Sequence, residues 1–297
     1  METLQSLQRR LNSTRDLQTV VKTMKAIAAA GINQYEQSVA SLADYRDTIG
    51  AGFQALLHSD GRLVDSMRGF EEAGLGAVVF GASQGMAGRF DDEIADFTAE
   101  AIGPEKSGRR PPAAIVLGHK AAAILEDRDF EISARLELPG SVHGIPNAVV
   151  DILEQVERWR DREENLRIVL FYNRKSSGTA FDPSQRTLFP LDVEWLEDLS
   201  RRPWRSSSLP FYRLDYRNLL GGVLYQHFFL SLYEAFAQSL AAENASRLAA
   251  MQAAESNVEE KLEELDSIYN HRRQDAITSE LLDIASGYEA LQSPTDR

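Results

Sequence analysis

The sequence predicts an α/β protein in which the N- and C-terminal helices form a long antiparallel coiled coil that carries an inserted α/β domain. Nine of the ten prolines lie between residues 104 and 210, and none lies within 1–57 or 211–293. Because proline breaks helix interiors, both ends of the chain can be uninterrupted helix. In the middle, apolar strand-like runs alternate with helix-like segments. We therefore divide the chain into a coiled-coil helix over 1–57, an α/β domain and linker over 58–210, and a second coiled-coil helix over 211–297.

The N-terminal segment keeps one apolar seam along its whole length. Alternating steps of three and four from Leu4 to Leu56 visit sixteen positions, of which twelve are apolar, and such a repeat is typical of a coiled coil. At about 1.5 Å per residue, this helix is roughly 80 Å long. Gly31 costs about 1 kcal/mol in a helix interior, so its presence indicates a close approach of two helix axes.

The C-terminal segment has a similar seam at Leu248, Met251, Val258, Leu262, Leu265 and Tyr269. Residues 227–297 contain five basic and thirteen acidic side chains, whereas residues 1–57 contain six basic and five acidic ones. We therefore predict that the two helices pair with each other, antiparallel, with the middle of the chain looped out. The alternative is two independent helices packed on the middle domain.

The middle of the chain has a β-α-β-α-β pattern. Strands are predicted at 75–81, 113–118 and 166–172, and helices at 90–102 and 147–162. This alternation predicts a small, mostly parallel, Rossmann-like sheet. A loop or hairpin is expected over 174–192, and a linker over 200–210.

A glycine-rich turn, GASQGMAGRF at residues 81–90, follows the first predicted strand and precedes a helix. The dinucleotide-binding fingerprint is G-x-G-x-x-G with an acidic residue at the end of the second strand. Here Ser83 stands where the second glycine is needed, and the second strand ends in Gly118, His119 and Lys120. The turn is therefore interpreted as structural, with nucleotide binding as the alternative.

Composition and motifs argue against several functions. A net charge of -13 argues against nucleic acid and anionic membranes as main partners. There is no cysteine, the five histidines lack zinc-site spacing, and neither H-E-x-x-H nor G-x-S-x-G occurs. We predict no catalytic residue, no cofactor and no metal. The absence of a signal-like apolar segment and of a long apolar run predicts a soluble or peripheral protein.

The segment 268–287, IYNHRRQDAITSELLDIASG, carries polar groups around its whole circumference. A helix of this kind beyond its pairing region is either frayed or enclosed by another protein. We predict that partner subunits enclose it.

These residues resemble the gamma subunit of the F-type ATP synthase, the central rotor shaft. The C-terminal match is the strongest, and it includes Ile277, Thr278, Glu280, Asp283 and Gly287 in the family's spacing. The N-terminal stretch RRLNSTRDLQTVVKTMKAIAAA also matches, and the glycine turn occupies the place of the family's S-D-R-G-L-C-G-G turn. Residues 100–210 are divergent, and Tyr288-Glu289 stands where the family has Ala-Ala. The N-terminal sequence is more similar to gamma chains of the N-type, sodium-coupled branch than to those of the housekeeping form.

The resemblance implies a non-catalytic shaft that couples ion flow through a membrane ring to ATP synthesis or hydrolysis in a head of three alpha and three beta subunits. The implied partners are the alpha, beta and epsilon subunits and the membrane c-ring, and the implied location is the cytoplasmic side of a bacterial or archaeal plasma membrane. Two rival interpretations use the same helices: a coiled-coil scaffold unrelated to rotation, and the stalk subunit of V/A-type rotary ATPases.

The resemblance also implies which residues contact the beta subunit. The first group lies in the C-terminal tail and engages a loop of beta: Arg273, Gln274, Thr278 and Glu280. Met24 and Lys25 lie where the N-terminal helix passes the acidic lever of beta, although Lys25 also occupies a seam position and is alternatively a charge at the edge of the coil. Arg9 and Arg10 are expected near the bearing.

Overall fold

The computed structural model describes residues 3–59, 62–68, 74–102, 113–162, 166–204, 208 and 212–292. Contacts divide the chain into two compact units. The first unit, here called the coil unit, comprises residues 1–27 and 250–297; the second, the domain unit, comprises residues 28–249.

The two terminal regions are helical, as predicted, but the N-terminal region is not one continuous helix. Helix α1 spans Leu4–Ala40 and helix α2 spans Ala43–Ser59. Between them the Leu42 amide donates to the Val39 carbonyl oxygen at 3.2 Å, which is a bond of the tight turn type rather than the α-helical type. The expectation of one helix over 1–57 is thus wrong at this turn. The C-terminal helix is continuous over Tyr216–Gln292.

A five-stranded sheet lies at the centre of the domain unit, with the strand order β3-β2-β1-β4-β5. The first four strands are parallel, and β5 pairs antiparallel with β4. The predicted first, second and third strands are β1, β2 and β4, and the segment predicted as a loop or hairpin forms the β4–β5 hairpin. Strand β3 lies outside the predicted strands. The strand bounds are β1 Gly74–Phe80, β2 Ala113–Leu117, β3 Glu131–Leu136, β4 Leu166–Lys175 and β5 Phe181–Phe189.

Helices cover both faces of the sheet. Successive side chains of a strand point to opposite faces, so one strand contributes to two buried clusters. Ala77 and Val79 face one side, in a buried cluster with residues of the next two helices, α4 (Phe90–Ile102) and α5 (His119–Glu126). Val78 and Phe80 face the other side, in a cluster with α6 (Ile145–Arg162) and part of the C-terminal helix. Both predicted helices are therefore confirmed, as α4 and α6.

Helix α2 belongs to a third buried cluster. Its Ile49 and Phe53 pack with α3 (Arg62–Ser66), with α7 (Val193–Arg201) and with the C-terminal helix, α8 (Tyr216–Gln292). In the same region the buried Glu234 of α8 pairs with Arg46 of α2 and with Arg186 of β5. The expected linker 200–210 begins within α7, and residues 205–207, 209 and 210 lie outside the described part of the chain.

In the coil unit, α1 and the C-terminal part of α8 pair antiparallel, as predicted. The buried Leu7 and Leu11 of α1 form a cluster with Leu265 of α8. Further along α1, Arg15 pairs with Asp266 at 3.3 Å, Gln18 bonds to Glu259 at 3.4 Å, and Lys25 pairs with Glu255. The residue numbers of the partners on α8 fall as the residue numbers on α1 rise, which shows that the two helices run antiparallel. Met251, Val258 and Leu265, spaced at seven residues, are all buried.

Candidate partner interface

The coil unit exposes large apolar side chains on the last turns of α8. Ile277, Leu281, Leu282 and Ile284 are 46%, 61%, 65% and 67% exposed. Single exposed apolar residues are ordinary, but four within eight positions form a patch, and such patches mark interaction sites. We call these four residues the tail patch.

The polar residues that the resemblance assigned to the tail lie among the residues of the tail patch. Arg273, Gln274, Thr278 and Glu280 are all exposed on α8. Residues three, four or seven apart share a helix face. Arg273 and Glu280 therefore share a face with Ile277, and Gln274 and Thr278 share the neighbouring face with Leu281. The fold brings these groups into one continuous polar and apolar surface.

Helix α1 carries a second exposed apolar row. Leu17, Val20 and Ile27 are 51%, 52% and 65% exposed, and the half-buried Met24 completes the spacing of three, four and three. We call these four residues the α1 stripe. The stripe lies beside the seam, one position back from Gln18, Val21, Lys25 and Ala28. The heptad pattern assigns only the seam, although the same periodicity could have identified this row.

Electrostatics distinguish the two helices of the coil unit. Within 3–27, α1 carries five basic side chains and one acidic one, whereas residues 250–292 of α8 carry three basic and ten acidic ones. Arg9 and Arg10 are exposed near the start of α1, while Lys25 is half-buried and pairs with Glu255. The α1 stripe therefore lies on the helix of the coil unit that carries net positive charge, where Arg15 and Lys25 pair with acidic side chains of α8.

The glycine-rich turn is closed by α8. Ala82, Ala87, Phe90 and Ala242 form one buried cluster. The Ser246 hydroxyl donates to the Ala87 carbonyl oxygen at 2.7 Å.

An amide at the start of the turn, that of Ala82, is also engaged. The Ala82 amide donates to Asp91 Oδ1 at 2.7 Å. Burial raises the pKa of Asp91, partly offset by this backbone hydrogen bond. The contacts of the turn favour the structural interpretation over nucleotide binding.

Metal ligation and membrane insertion can be judged only for the residues that the structure describes. Among them, no group of three or more histidine or acidic side chains is arranged to hold a metal ion. No helix in the described part of the chain is both long and apolar enough to cross a membrane.

The chain thus has one unit that is an antiparallel helical coil with an exposed end, and one unit that is an α/β domain built on a mostly parallel sheet. The family model described as ATP synthase matches residues 3–291. The chain therefore belongs to this family.

Curated relatives agree with this assignment and match over nearly the whole chain. The ATP synthase gamma chain of Prosthecochloris aestuarii is 29% identical over 304 residues, covering 98% of this chain and 99% of the relative. That of Glaesserella parasuis is 24% identical over 286 residues, covering 95% and 97%. The resemblance to the gamma subunit is confirmed, and the N-type branch stays a prediction.

Solved structures show the same fold. The rotor of the Euglena gracilis mitochondrial ATP synthase aligns with a TM-score of 0.61 at 18% identity, covering 92% of this chain and 98% of that one. The central stalk and c-ring structure of the Tetrahymena thermophila mitochondrial ATP synthase aligns with a TM-score of 0.58 at 16% identity, covering 79% and 99%.

Proposed function

We propose that this chain is the central rotor shaft of an F-type ATP synthase. It couples ion flow through the membrane c-ring to ATP synthesis or hydrolysis in the alpha and beta subunits. The observation that carries the proposal is the paired coil with its exposed tail, in a chain whose relatives are ATP synthase gamma chains.

The mechanism follows from the symmetry of the assembly. A single asymmetric rod inside a ring of three equivalent beta subunits makes different contacts with each of them. Different contacts favour different conformations, and hence different nucleotide affinities, by differential binding. Turning the rod exchanges the three states, and the coupling is reciprocal, so nucleotide turnover also turns the rod. Two paired helices resist twisting better than one helix does.

The tail contacts a loop of the beta subunit through Arg273, Gln274, Thr278 and Glu280. These side chains are exposed and reach outward from a continuous helix. Hydrogen bonds that involve charged groups suit this task because they are directional and strong, yet they can be exchanged on rotation. The tail patch supplies the apolar part of the same contact.

The α1 stripe contacts the acidic lever of beta through Met24 and its neighbours, and the basic surface of α1 supplies the complementary charge. Lys25 belongs to this contact as well. Its ammonium group has three donors, so the pair with Glu255 leaves donors for a carboxylate of the partner. Arg9 and Arg10 are proposed near the bearing.

The shaft acts by contact and is not catalytic. Nucleotides bind on the surrounding alpha and beta subunits, so the chain needs no cofactor and no metal of its own. Its three regions are the N-terminal coiled-coil segment 1–57, the domain and linker 58–210, and the C-terminal coiled-coil segment 211–297. The complex lies peripherally on the cytoplasmic side of a bacterial or archaeal plasma membrane, with epsilon and the c-ring as its other partners.

Co-expression with the alpha and beta subunits of the same source tests the function. Native mass spectrometry should show three alpha, three beta and one copy of this chain, with ATPase activity. If the chain stays free, or associates only with itself while alpha and beta assemble, the shaft proposal is refuted and the scaffold interpretation is favoured.

A tail variant tests the beta-loop contacts. Gln274→Ala combined with Thr278→Ala removes two hydrogen-bonding groups at about 1 kcal/mol each, so coupled activity should fall by about tenfold or more. Gln252→Ala with Ser256→Ala is the matched control, since both residues are exposed on the same helix with the same spacing. Full activity of the tail variant in an assembled complex would refute the assignment.

A further inference from the structure

Helix α8 continues beyond the part of it that pairs with α1. Tyr269 is the last residue of α8 in the cluster that Leu7 and Leu265 form. Helix α1 begins at Leu4, three residues before Leu7. In an antiparallel pair, α1 therefore ends opposite the first turn that follows Tyr269, and α8 extends past it. We call residues 270–286 the tail segment.

The tail segment buries none of its side chains. Every side chain from Asn270 to Ser286 is exposed. Within these described residues no ion pair or aromatic contact forms, and the one side-chain hydrogen bond is local, from the Ser286 hydroxyl to the Asp283 carbonyl oxygen at 3.0 Å. Most helix stability in proteins comes from packing an apolar face against the rest of the fold. The tail segment lacks this contribution.

Intrinsic helix propensity does not replace the missing packing. Eight of the 17 residues of the tail segment are strong helix formers, against 13 of 16 in residues 250–265. No two oppositely charged residues of the segment are four positions apart, so the pairs that stabilise exposed helices do not form. The paired part of α8 provides the helix nucleus. Extending that helix through weak formers is nevertheless close to neutral or unfavourable in water.

The tail patch indicates where the stabilisation comes from. Ile277, Leu281 and Ile284 are spaced by four and three residues, so they share one helix face. Leu282 follows Leu281 by one position and lies about 100° further around the helix axis. All four side chains are between 46% and 67% exposed. A groove covers one helix face, whereas a ring of subunits covers several, so this distribution fits enclosure by the alpha and beta head.

We propose, on the basis of the proposed shaft function, that folding of the tail segment is coupled to its enclosure by the head. In the free chain the segment opens and closes as a helix, and in the complex it is held closed. Burial of the tail patch supplies the free energy that orders the backbone. Part of the interaction energy is used for this ordering. Assembly therefore depends on the helix propensity of tail residues that contact no partner.

Amide hydrogen exchange tests the coupling in the full-length chain, both free and in its complex with alpha and beta. In the free chain, amides of the tail segment should exchange roughly a hundredfold faster than those of residues 250–265. In the complex, their protection should rise by about a hundredfold. If the tail segment of the free chain is as protected as residues 250–265, its helix is formed before binding and the inference is refuted.

Substitutions at Ser279 and Ser286 test the coupling thermodynamically. Both residues are exposed, and both lie outside the tail patch and the polar contacts assigned to beta. Ser279→Gly with Ser286→Gly destabilises the helix by roughly thirtyfold relative to Ser279→Ala with Ser286→Ala. If the helix opens in the free chain, at least about fivefold of this difference appears in the affinity for the head. If the helix is formed before binding, none appears, because free and bound chains are affected equally.

Competition between the two variants measures this ratio. The glycine and alanine variants are mixed in equal amounts with limiting alpha and beta, and mass spectrometry of the subunits from the purified complex gives their ratio. We expect the alanine variant to be incorporated at least about fivefold more often. The matched control makes the same glycine and alanine pairs at Ser256 and Glu263, which are exposed, seven residues apart and in the paired part of α8. These two control variants should be incorporated equally.

The outcomes separate the coupling from the shaft function. Equal incorporation of the two tail variants into an active complex would refute the coupling and leave the shaft function intact. Discrimination of the same size at Ser256 and Glu263 would show that the effect does not belong to the tail segment, and would also refute the coupling. Failure of the wild-type chain to assemble with alpha and beta would overturn the shaft function, and the coupling with it.

Discussion

Truncation of Leu265 should open the coil unit. Leu265 is 2% exposed and packs with Leu7 and Leu11, which are 0% and 1% exposed. Leu→Ala substitutions in buried positions cost about 2–5 kcal/mol, and the value depends on how far the surroundings collapse into the cavity. Among the described residues, the half-buried Leu262 and Tyr269 flank this small cluster, and we expect Leu265→Ala to cost about 3 kcal/mol.

Amide hydrogen exchange in the free chain measures this effect where it occurs. A cost of about 3 kcal/mol corresponds to an opening constant of the coil unit that is roughly a hundredfold larger. Amides of residues 4–27 should exchange faster by that factor, while those of the sheet should be unchanged. Leu281→Ala is the control, because this residue is 61% exposed and its truncation leaves no cavity. Equal exchange in Leu265→Ala and the wild type, or equal acceleration in both variants, would refute the predicted packing.

Two further predictions concern buried groups of the domain unit. Glu234→Ala removes the carboxylate that pairs with Arg46 and Arg186. Because both arginine side chains are partly exposed, the free energy of unfolding should fall by about 2 kcal/mol, which is less than the cost of breaking a fully buried pair. Chemical denaturation would test this value. Burial, followed by the charge of Arg186, lowers the pKa of His227 to about 4. The unfolded chain therefore binds more protons between pH 6.5 and 4, so stability should fall by about 2 kcal/mol as the pH decreases through this range. His227→Phe, which can keep the stacking on Trp195, should lose that part of the pH dependence; an unchanged slope would contradict the argument.

The helices and the buried strands could be predicted well, because each has a strong periodic or apolar signal. Strands β1, β2 and β4 are apolar on both faces and are buried, as their runs of valine, isoleucine and leucine indicate. The edge strand β3, Glu131–Leu136, alternates polar and apolar residues over only six positions. Such a short alternation is too weak a signal to predict a strand by itself.

The turn between α1 and α2 could not be predicted from the seam. Both helices pack along α8: Gly31 of α1 lies against Asn244, and Gly52 of α2 lies against Val223. The heptad pattern therefore continues through Ser41 and Leu42, although the helix is interrupted there. No proline or glycine marks the turn. Beyond the turn, α2 packs against α3 and α7 in a cluster that the seam alone does not indicate.

The candidate interface, too, could be predicted from the sequence only in part. Periodicity places Arg273, Gln274 and Thr278 on exposed faces, and the family resemblance alone supplies their role. The hydrogen bonds of Glu243 and Arg247 to the turn could not be predicted, because both residues are far from the turn in sequence and lie in an alanine-rich helical segment. Only the fold shows that these charges are buried and directed at the turn.

Helix α8 carries its buried charges where it contacts the domain. Glu234 pairs with groups on α2 and β5, and Glu243 with Arg247 holds the turn after β1. An apolar helix face can slide by one turn over its neighbours with little change in buried area, whereas hydrogen bonds to fixed backbone and charged groups are lost on sliding. Directional contacts at two points, 9 residues apart on one helix, fix this part of α8 within the domain unit in a way that apolar packing alone does not.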